Sequence, residues 1–438
     1  MKKLLLVAFI FLSFFSNSQA QFIEMPSAGS YDLILVFNSS VTPTAIERLK
    51  VELNAIDLGV TTPITKARVW RKRGPAGSTG IPSASYSISE ASDAVEKVRG
   101  GTTSVGGGAL VEINVPTQTP EGGFNLQSAG QQPANPPLAT TCRTPSDFQF
   151  NATDIGTSSV RVAILDTGLE CNESPTPVFS HPYLSAFVDA ASSRSFSMSN
   201  WVNDKHGHGT AVASIIVRTF KGTAGAGNCK IIPIKVLDNE GKGNLFNLIR
   251  GIDHAIEKNA DIINVSIVSP DKSAYGKETP IQLALKNAAS RNILVVTAAG
   301  NDGRNIDEVA NTVYPACAQS DNQIVVGAAK CADGKAEFSN YGKGSVDVFA
   351  PGVRISVAQL TWREGGTFRW GDGTSYATPI VTGMAAVLRS KLTVRNYKTL
   401  KCGILNGAIP VSVFSSYCKT GAVINVPNTR TKFPTCPR

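Results

Sequence analysis

The sequence lacks a long apolar stretch beyond its amino terminus. An apolar run over residues 4–12 is broken at Ser13, which is short of the about 18 apolar residues that a membrane-spanning helix needs. This run follows Lys2-Lys3 and precedes the small residues Ser18-Gln19-Ala20, a pattern typical of a secretory signal peptide. We therefore expect residues 1–20 to direct export to the extracellular space or the periplasm, and we expect no membrane span.

Charged residues are also scarce. They make up 17% of the 438 residues, against 42% hydrophobic residues, so the composition differs from that of a disordered chain and predicts one large domain with smaller pieces. The formal net charge is +9, but the only basic run is Arg71-Lys72-Arg73. A diffusely basic, solvated surface explains this charge, and nucleic acid is not expected as a partner.

Cysteine is absent from the first 141 residues. An exported chain with an even number of cysteines can form disulfides, here up to four, although the pairing cannot be deduced from the sequence. The absence of cysteine upstream suggests that the first third of the chain is not part of the durable product. The eight cysteines are Cys142, Cys171, Cys229, Cys317, Cys331, Cys402, Cys418 and Cys436.

Histidine occurs only four times, and no His-Glu-x-x-His motif is present. His206 and His208 alone do not make a zinc site, because zinc usually takes a third protein ligand. His181 and His254 are expected to be structural, and the cysteines lack the close paired spacing of a zinc site. No metal site and no required cofactor are predicted.

The chain divides into segments of different character. Residues 21–115 mix predicted strands (31–37, 85–88, 109–115) and helices (43–53, 90–98), which indicates a small α+β unit. Residues 116–141 are rich in proline and glutamine with a single charge, as expected of an accessible linker that contains a processing site. Residues 142–426 form the predicted main domain, and residues 427–438 a short tail attached through Cys436.

Buried apolar runs alternate with helical segments in the main domain. This alternation predicts an α/β fold in which a parallel sheet is covered by helices on both faces. The predicted strands are 160–165, 230–237, 261–267, 292–298 and 323–328, and the predicted helices are 209–218, 245–258, 280–291 and 375–391.

Three short motifs at the ends of these elements carry an acid, a base and a nucleophile in that order. They are Asp166-Thr167-Gly168, Gly207-His208-Gly209-Thr210 and Gly373-Thr374-Ser375. A serine hydroxyl needs a neighbouring imidazole to take its proton, and a buried carboxylate keeps that imidazole in the right tautomer. The motifs predict Ser375 as nucleophile, His208 as base and Asp166 as the carboxylate.

A tetrahedral intermediate also needs hydrogen-bond donors for its negative oxygen. Ser375 at a predicted helix start offers its backbone N–H, and Asn301 at a predicted strand end offers a side-chain amide. The Asp-Thr-Gly motif alone is weak, since these are ordinary turn residues. The ordered combination of the four residues carries the prediction.

Together these motifs resemble the subtilase family, and the order Asp, His, Ser is the one found in subtilisin. The resemblance covers about residues 160–426. It implies a three-layer subtilisin-like α/β domain, a secreted serine endopeptidase and polypeptide substrates. The supporting motifs are His181-Pro182-Tyr183-Leu184, Ile234-Lys235-Val236-Leu237-Asp238, Ile262-Ile263-Asn264-Val265-Ser266, Tyr314-Pro315-Ala316, Phe338-Ser339-Asn340-Tyr341-Gly342 and Val346-Asp347-Val348-Phe349-Ala350-Pro351-Gly352.

Residues 31–115 resemble the propeptide of the same family more weakly. This resemblance implies that the protein is made as an inactive precursor whose own propeptide, over residues 21–115, acts as inhibitor and folding chaperone. A monomer is expected. Calcium is common in proteins that resemble this one, but no set of six or more oxygen ligands can be assembled from the sequence.

The chain departs from the family pattern at three places, namely Ala211, Tyr376 and Val268-Ser269, where the family commonly has histidine, methionine and glycines. Val268 is expected to intrude where the substrate passes, and Val313 lies where the family has the floor of its P1 pocket. We therefore expect a narrowed P1 pocket that accepts small or medium apolar residues. The predicted substrate-binding residues are Ser266, Ile267, Val268, Ala299, Gly300 and Val313.

Two other functions remain as alternatives. The scaffold could bind a partner without catalysis, although every reactive atom is present. An α/β-hydrolase esterase is the second alternative, but that fold uses Gly-x-Ser-x-Gly with the acid and histidine after the serine. Here Ala377 replaces the second glycine, and both partners precede Ser375.

Overall fold

A computed structural model describes residues 31–73, 86–105, 109–114, 116–118, 150, 152–197, 201–221, 228–270, 279–330, 334–363 and 368–436. The predicted signal peptide and most of the predicted linker lie outside these residues, and the proposed segment boundaries stay predictions.

The strands run in chain order as β1 (Asp32–Phe37), β2 (Ala55–Thr61), β3 (Arg68–Lys72), β4 (Ala109–Asn114), β5 (Pro116–Gln118), β6 (Val160–Asp166), β7 (Arg194–Ser195), β8 (Cys229–Lys235), β9 (Lys242–Asn244), β10 (Ile262–Val265), β11 (Ser269–Pro270), β12 (Leu294–Ala298), β13 (Val313–Tyr314), β14 (Gln323–Ala329), β15 (Val348–Pro351), β16 (Ile355–Ala358), β17 (Phe368–Gly371), β18 (Ile409–Pro410) and β19 (Ala422–Val423). The helices are α1 (Pro43–Glu52), α2 (Ile88–Arg99), α3 (His208–Lys221), α4 (Leu245–Glu257), α5 (Pro280–Ser290), α6 (Thr374–Ser390), α7 (Tyr397–Gly407) and α8 (Val426–Lys432).

The main sheet has the strand order β18-β19-β15-β14-β12-β10-β6-β8-β7 in the described part of the chain. All neighbours in it are parallel except β18 and β19, which form an antiparallel edge. The chain passes from β6 to β8 on one side and then returns to β10 on the other side of β6. In such sheets ligands bind outside the carboxyl ends of the strands where the order reverses, which places a site beyond the end of β6.

Helices cover both faces of this sheet. Because successive strand residues point to opposite faces, Val162 and Ile164 of β6 join a core with α3 and α6, whereas Ala163 and Leu165 join a core with α4 and α5. The predicted three-layer α/β fold is therefore confirmed. The five predicted strands of this sheet and its four predicted helices are all present, with ends shifted by up to three residues.

A second, four-stranded antiparallel sheet of order β2-β3-β1-β4 lies near the amino terminus. Its apolar face shares the core with α4 and α5. The strand predicted over 85–88 is wrong, because Tyr86 forms only an isolated bridge with Tyr31 and Ile88 begins α2. A capping box between Ser87 and Glu90 starts this helix and overrides the local alternation of apolar residues.

Polar contacts also join this small sheet unit to the main domain. The carboxylate of Asp253 on α4 is fully buried and accepts N–H bonds from Ile64 at 3.0 Å and Thr65 at 2.7 Å, and the Thr65 hydroxyl donates to it at 2.6 Å. The side-chain oxygen of Asn114 accepts the backbone N–H of Phe246 at the start of α4. A buried carboxylate needs such donors, so the small unit and α4 are chemically complementary.

The carboxyl-terminal segment is more ordered than the short tail that was predicted. It forms α8, and a disulfide joins Cys436 to Cys402 on α7. Arg430 on α8 pairs with Asp154 near the start of the main domain. Residues 427–436 are therefore packed on the main domain.

Four described cysteines, Cys171, Cys229, Cys317 and Cys418, are buried free thiols. The chain therefore forms fewer bridges than the four that its cysteine count allows. Cys142 and Cys331 lie outside the described residues. Among the helices that the structure describes, none has the length and apolar character to cross a membrane.

Candidate active site

Asp166 is the last residue of β6 and has no exposed surface. Its Oδ1 accepts two hydrogen bonds, one from the backbone N–H of Thr167 at 2.7 Å and one from Nδ1 of His208 at 2.7 Å. A carboxylate in this position keeps the proton of the imidazole on Nδ1 and leaves Nε2 free to accept another. The structure thus brings together the predicted acid and base, which lie 42 residues apart in the sequence.

His208 begins α3, and the turn before the helix is organised by Asp204. The buried Asp204 carboxylate accepts the N–H groups of His206, Gly207 and Thr210 at 2.7–3.0 Å. It also accepts the hydroxyls of Thr210 and Thr167, both at 2.8 Å. Asp204 therefore ties the His208 turn to the residue that follows Asp166.

Sequence reasoning missed Asp204. A signal was present, since an aspartate shortly before a helix start commonly accepts backbone N–H groups of the following turn.

Ser375 is the second residue of α6 and is 2% exposed. A backbone N–H in the first turn of a helix has no partner within the helix, so that of Ser375 can serve an oxyanion. The Ser375 hydroxyl donates to the carbonyl oxygen of Ser266 at 3.4 Å. In the described structure it forms no hydrogen bond with His208.

Asn301 follows β12 and is 9% exposed. Its Oδ1 accepts both the backbone N–H of Thr374 at 2.9 Å and the Thr374 hydroxyl at 2.8 Å. Thr374 directly precedes Ser375, so this double contact holds Asn301 beside the start of α6. Because Oδ1 is fixed by Thr374, the amide nitrogen is turned to the other side of the side chain, where a donor for an oxyanion is needed.

The predicted substrate-binding residues lie next to this centre. The Ser266 hydroxyl donates to the Ser375 carbonyl at 3.1 Å, and a Cβ on Gly300 would lie 3.4 Å from Cγ1 of Val268. Ala299 and Val313 share one apolar cluster. The side chain of Ile267 is fully buried in the core with α4, so it can meet a substrate only through its backbone.

Buried charges and rings surround the catalytic pair. Burial, and then the neighbouring His208, lower the pKa of His206. Burial also lowers the pKa of Lys235, whose ammonium donates to the Thr167 carbonyl at 2.5 Å. The ring of Tyr376 lies 5.8 Å from that of His208, and burial raises the pKa of its hydroxyl.

No group of three or more His, Cys, Asp or Glu side chains is placed to bind a metal within the residues that the structure describes. The arrangement of Asp166, His208, Ser375 and Asn301 supplies a proton acceptor, a hydroxyl and two N–H donors. These are the groups that acyl transfer requires.

A short strand of the amino-terminal part approaches the same region. β5 pairs antiparallel with β9, with Pro116 opposite Asn244 and Gln118 opposite Lys242. β5 also lies against β11, which follows the predicted substrate-binding residues 266–268. An extended segment of the chain is thus held between two strands beside the site.

Comparison with known proteins gives one family and many relatives. The model of the subtilase family matches residues 157–423. The chain is 36% identical to subtilisin of Bacillus pumilus over 237 residues. The aligned region covers 53% of this chain and 78% of that protein. Identity to subtilisin E of Bacillus subtilis (strain 168) is also 36% over 237 residues. An alkaline protease of Alkalihalobacillus alcalophilus is 34% identical over 242 residues.

The coverage of these relatives differs. The matching region spans 56% of the length of subtilisin E and 55% of the length of the alkaline protease.

Proposed function

This chain belongs to the subtilase family, and on that premise we propose that it is a secreted serine endopeptidase made as an inactive precursor. Ser375 is the nucleophile, His208 the general base and Asp166 the carboxylate that orients it. Asn301 and the backbone N–H of Ser375 bind the oxyanion. The observation that carries the proposal is the 2.7 Å contact between Nδ1 of His208 and Oδ1 of Asp166, next to a serine at a helix start.

The reaction proceeds in two halves. Oγ of Ser375 attacks the carbonyl carbon of the scissile peptide while Nε2 of His208 takes the hydroxyl proton. The C–N bond then breaks, and His208 returns the proton to the leaving amine. In the second half, water attacks the acyl carbon while His208 takes a proton from it. The ester bond to Oγ of Ser375 then breaks, His208 returns the proton to Oγ, and the carboxylic-acid product leaves. These steps use side chains and water, so we propose no required cofactor.

One movement precedes the first step. The Ser375 hydroxyl donates to the Ser266 carbonyl at 3.4 Å and must give up this bond before it can donate to His208. A bond of this length is weak, and catalytic hydrogen bonds often become short only when substrate is bound. Breaking this bond therefore costs little energy.

Labelling with a fluorophosphonate tests the nucleophile. The secreted, processed protein should be labelled at Ser375 and should hydrolyse casein, whereas Ser375→Ala should do neither. That the Ser375 hydroxyl donates to the Ser266 carbonyl and not to His208 is the one observation that favours a non-catalytic binding protein. Absence of labelling in correctly folded protein would establish that alternative, and faster turnover of lipid esters than of casein would indicate an esterase.

The precursor state rests on the position of β5. Held between β9 and β11, this strand occupies the region where an extended substrate would lie, so the amino-terminal unit acts as the inhibitor of its own active site. Release then requires a cut after β5, which ends at residue 118, and before residue 142. Amino-terminal sequencing should find the wild type beginning in this interval and Ser375→Ala beginning near residue 21. Identical processing of both chains would assign the cut to another protease.

We further propose that the P1 pocket takes small or medium apolar side chains. Val268 is 5% exposed and Val313 6% exposed, and Cγ1 of Val268 lies close to the Gly300 backbone. Their bulk narrows the space beside the scissile bond. A peptide library should show preference for residues such as Ala, Val or Leu at P1, and strong preference for Phe, Tyr, Lys or Arg would refute this assignment. Val268→Gly should widen the accepted range.

A further inference from the structure

The motif Phe338-Ser339-Asn340-Tyr341-Gly342 has no role in the reaction described above, yet it lies against the segment that carries Asn301. Asn340 is 1% exposed. A buried amide has two donor hydrogens and one acceptor oxygen, and leaving them unmatched is unfavourable. The partners of this side chain therefore show what it stabilises.

Asn340 contacts the chain on both sides of Asn301. Its Nδ2 donates to the carbonyl of Ala299 at 3.0 Å, and its own backbone N–H donates to the carbonyl of Gly300 at 2.9 Å. Its Oδ1 accepts the backbone N–H groups of Asp302 and Arg304, both at 3.0 Å. The two residues before Asn301 and two of the three after it are thus held by one side chain and its backbone.

The packing between Asn340 and this turn is close. Gly300 has a φ of +98°, and a Cβ at this position would lie 2.5 Å from Nδ2 of Asn340. Glycine is required here because the backbone conformation is left-handed and the amide occupies the space of a side chain. The turn cannot shift towards Asn340, and the hydrogen bonds oppose a shift away from it.

Asn340 is itself held on a firm support. The ammonium of Lys335 donates to the carbonyls of Ala336 at 2.9 Å, Glu337 at 3.1 Å and Ser339 at 2.9 Å. The Ser339 hydroxyl accepts the N–H of Ala328 on β14 and donates to the Asn340 carbonyl. The segment that presents Asn340 is therefore anchored to the central sheet, as a precise site requires.

We propose that Asn340 is a positioning residue for catalysis, which acts through Asn301 by fixing the turn that aims the Asn301 amide at the oxyanion. This inference rests on the proposed function of Asn301. Both sides of the Asn340 amide are needed. Asparagine supplies the acceptor for Asp302 and Arg304 together with the donor for Ala299, whereas aspartate keeps the acceptor and places a second oxygen against the Ala299 carbonyl.

A double-mutant cycle tests the proposal with full-length chains that are allowed to mature. Slowly maturing variants are processed by a small amount of tagged wild-type enzyme that is then removed. Asn340→Ala, Asn340→Asp, Asn301→Ala and the two double variants are compared by kcat and KM on a peptide anilide, and the concentration of competent sites is set by burst titration. The cycle separates an effect through Asn301 from an independent one.

We expect Asn340→Ala and Asn340→Asp to lower kcat about tenfold to a hundredfold, since small misplacements of a catalytic group have effects of this size. KM should stay within about twofold. Asn301→Ala should lower kcat about a hundredfold to a thousandfold, the range known for such a donor in a subtilisin, which is a relative of this chain. In the Asn301→Ala background, either change at Asn340 should alter kcat by less than about twofold.

Equal loss of kcat in both backgrounds, or no loss in either, would overturn the role of Asn340. A different result, in which Asn301→Ala keeps the wild-type kcat, would refute the oxyanion assignment on which the inference rests. The two failures are therefore distinguishable in the same set of variants.

Asn322 provides the matched control for a purely structural effect. It is also fully buried, its Nδ2 donates to the Ile293 carbonyl at 2.8 Å, and its Oδ1 accepts the Ser320 hydroxyl at 2.7 Å. Asn322→Ala should lower the melting temperature about as much as Asn340→Ala and leave kcat unchanged. Equal loss of kcat in the two variants would show that Asn340 contributes stability alone.

Discussion

At the scale of single residues, the polar side chains of the site are fixed by partners that are themselves buried. Oδ1 of Asn301 accepts two bonds from Thr374, and Oδ1 of Asp166 accepts one from Thr167 besides that from His208. The reorganisation energy of such groups during the reaction is small, because their orientation is set before substrate binds. The two threonines are therefore part of the preorganised site although neither reacts.

His254 gives a prediction for stability against pH at this scale. It is 9% exposed, its Nε2 lies 2.9 Å from the Ser192 carbonyl, and its ring contacts that of Phe196. Burial is the main cause that lowers the pKa of His254 to about 4; the bond to Ser192 opposes it, and the charges of Lys258 and Arg194 add to it. The unfolded chain, with a histidine pKa of about 6.5, binds the proton first as the pH falls.

The stabilising effect of neutral His254 is therefore complete above about pH 6.5. As the pH falls from there towards 4, the free energy of unfolding decreases by at most about 3 kcal/mol through this group. His254→Gln should reduce the loss of stability between pH 7 and pH 5. The measurement is urea unfolding in the Ser375→Ala background, which prevents autolysis, with that background alone as control. An equal loss in both chains would contradict the assignment.

At the scale of elements, the turn that leads into α3 decides where His208 stands. Asp204 accepts five hydrogen bonds from four residues, and three of these come from backbone N–H groups of the turn and the first helical turn. Hydrogen bonds to a buried carboxylate are stronger than those between neutral groups. The position of His208 therefore depends on a residue that touches no substrate.

Asp204→Asn should destabilise the protein by about 2–4 kcal/mol and lower kcat, because one oxygen becomes an NH₂ group that faces donors. Melting in the Ser375→Ala background gives the first quantity, and turnover per titrated site gives the second. Asp189→Asn is the control, since Asp189 caps Ser192 in a short turn outside the site. It should change kcat by less than about twofold, and an equal effect of both variants on kcat would count against the role of Asp204.

The long elements could be predicted from the sequence, whereas the short ones could not. β6, β10, β12 and β14 are apolar over most of their length, as is typical of strands buried on both faces. β5, β9, β11 and β13 have only two or three residues each and no such pattern. Short strands exist because a partner strand is present, and the identity of that partner is a property of the fold.

At the scale of the whole molecule, the two ends of the main domain are tied together. Asp154 pairs with Arg430 on α8 and lies 3.9 Å from the ammonium of Lys391, while the Arg430 guanidinium lies over the ring of Phe150. The disulfide between Cys402 and Cys436 holds α8 against α7. The last residues thus hold the segment that leads into β6.

Removal of this disulfide by Cys402→Ser together with Cys436→Ser should lower the free energy of unfolding by about 2–4 kcal/mol, because the unfolded chain regains the freedom of a closed loop. Activity at 25 °C should persist, since neither residue belongs to the candidate active site. Thermal melting with and without a reductant measures the effect. The reductant should lower the melting temperature of the parent chain by more than that of the double variant; equal melting of both oxidised chains would contradict the prediction.

The four other described cysteines show that a cysteine count does not determine which disulfides form. The even number of cysteines allowed up to four bridges, yet Cys229 is fully buried and Cys317 lies in a different apolar cluster. Burial raises the thiol pKa of Cys229 to about 12 and that of Cys317 to about 11, so neither is readily ionised. Only distances in the folded chain decide which thiols can meet.

The sequence by itself determined the chemical types of the site and the class of the fold, because both depend on local pattern. The pattern consists of a strand that ends in Asp166, helices whose first turns contain His208 and Ser375, and apolar runs with helices between them. Tertiary structure decided what meets across the chain. Asn340 hydrogen-bonds the turn that carries Asn301, Asp253 accepts hydrogen bonds from Thr65, and β5 pairs with β9. The reason is that the order of strands in the sheet brings together residues far apart in sequence, and no local pattern records which ones.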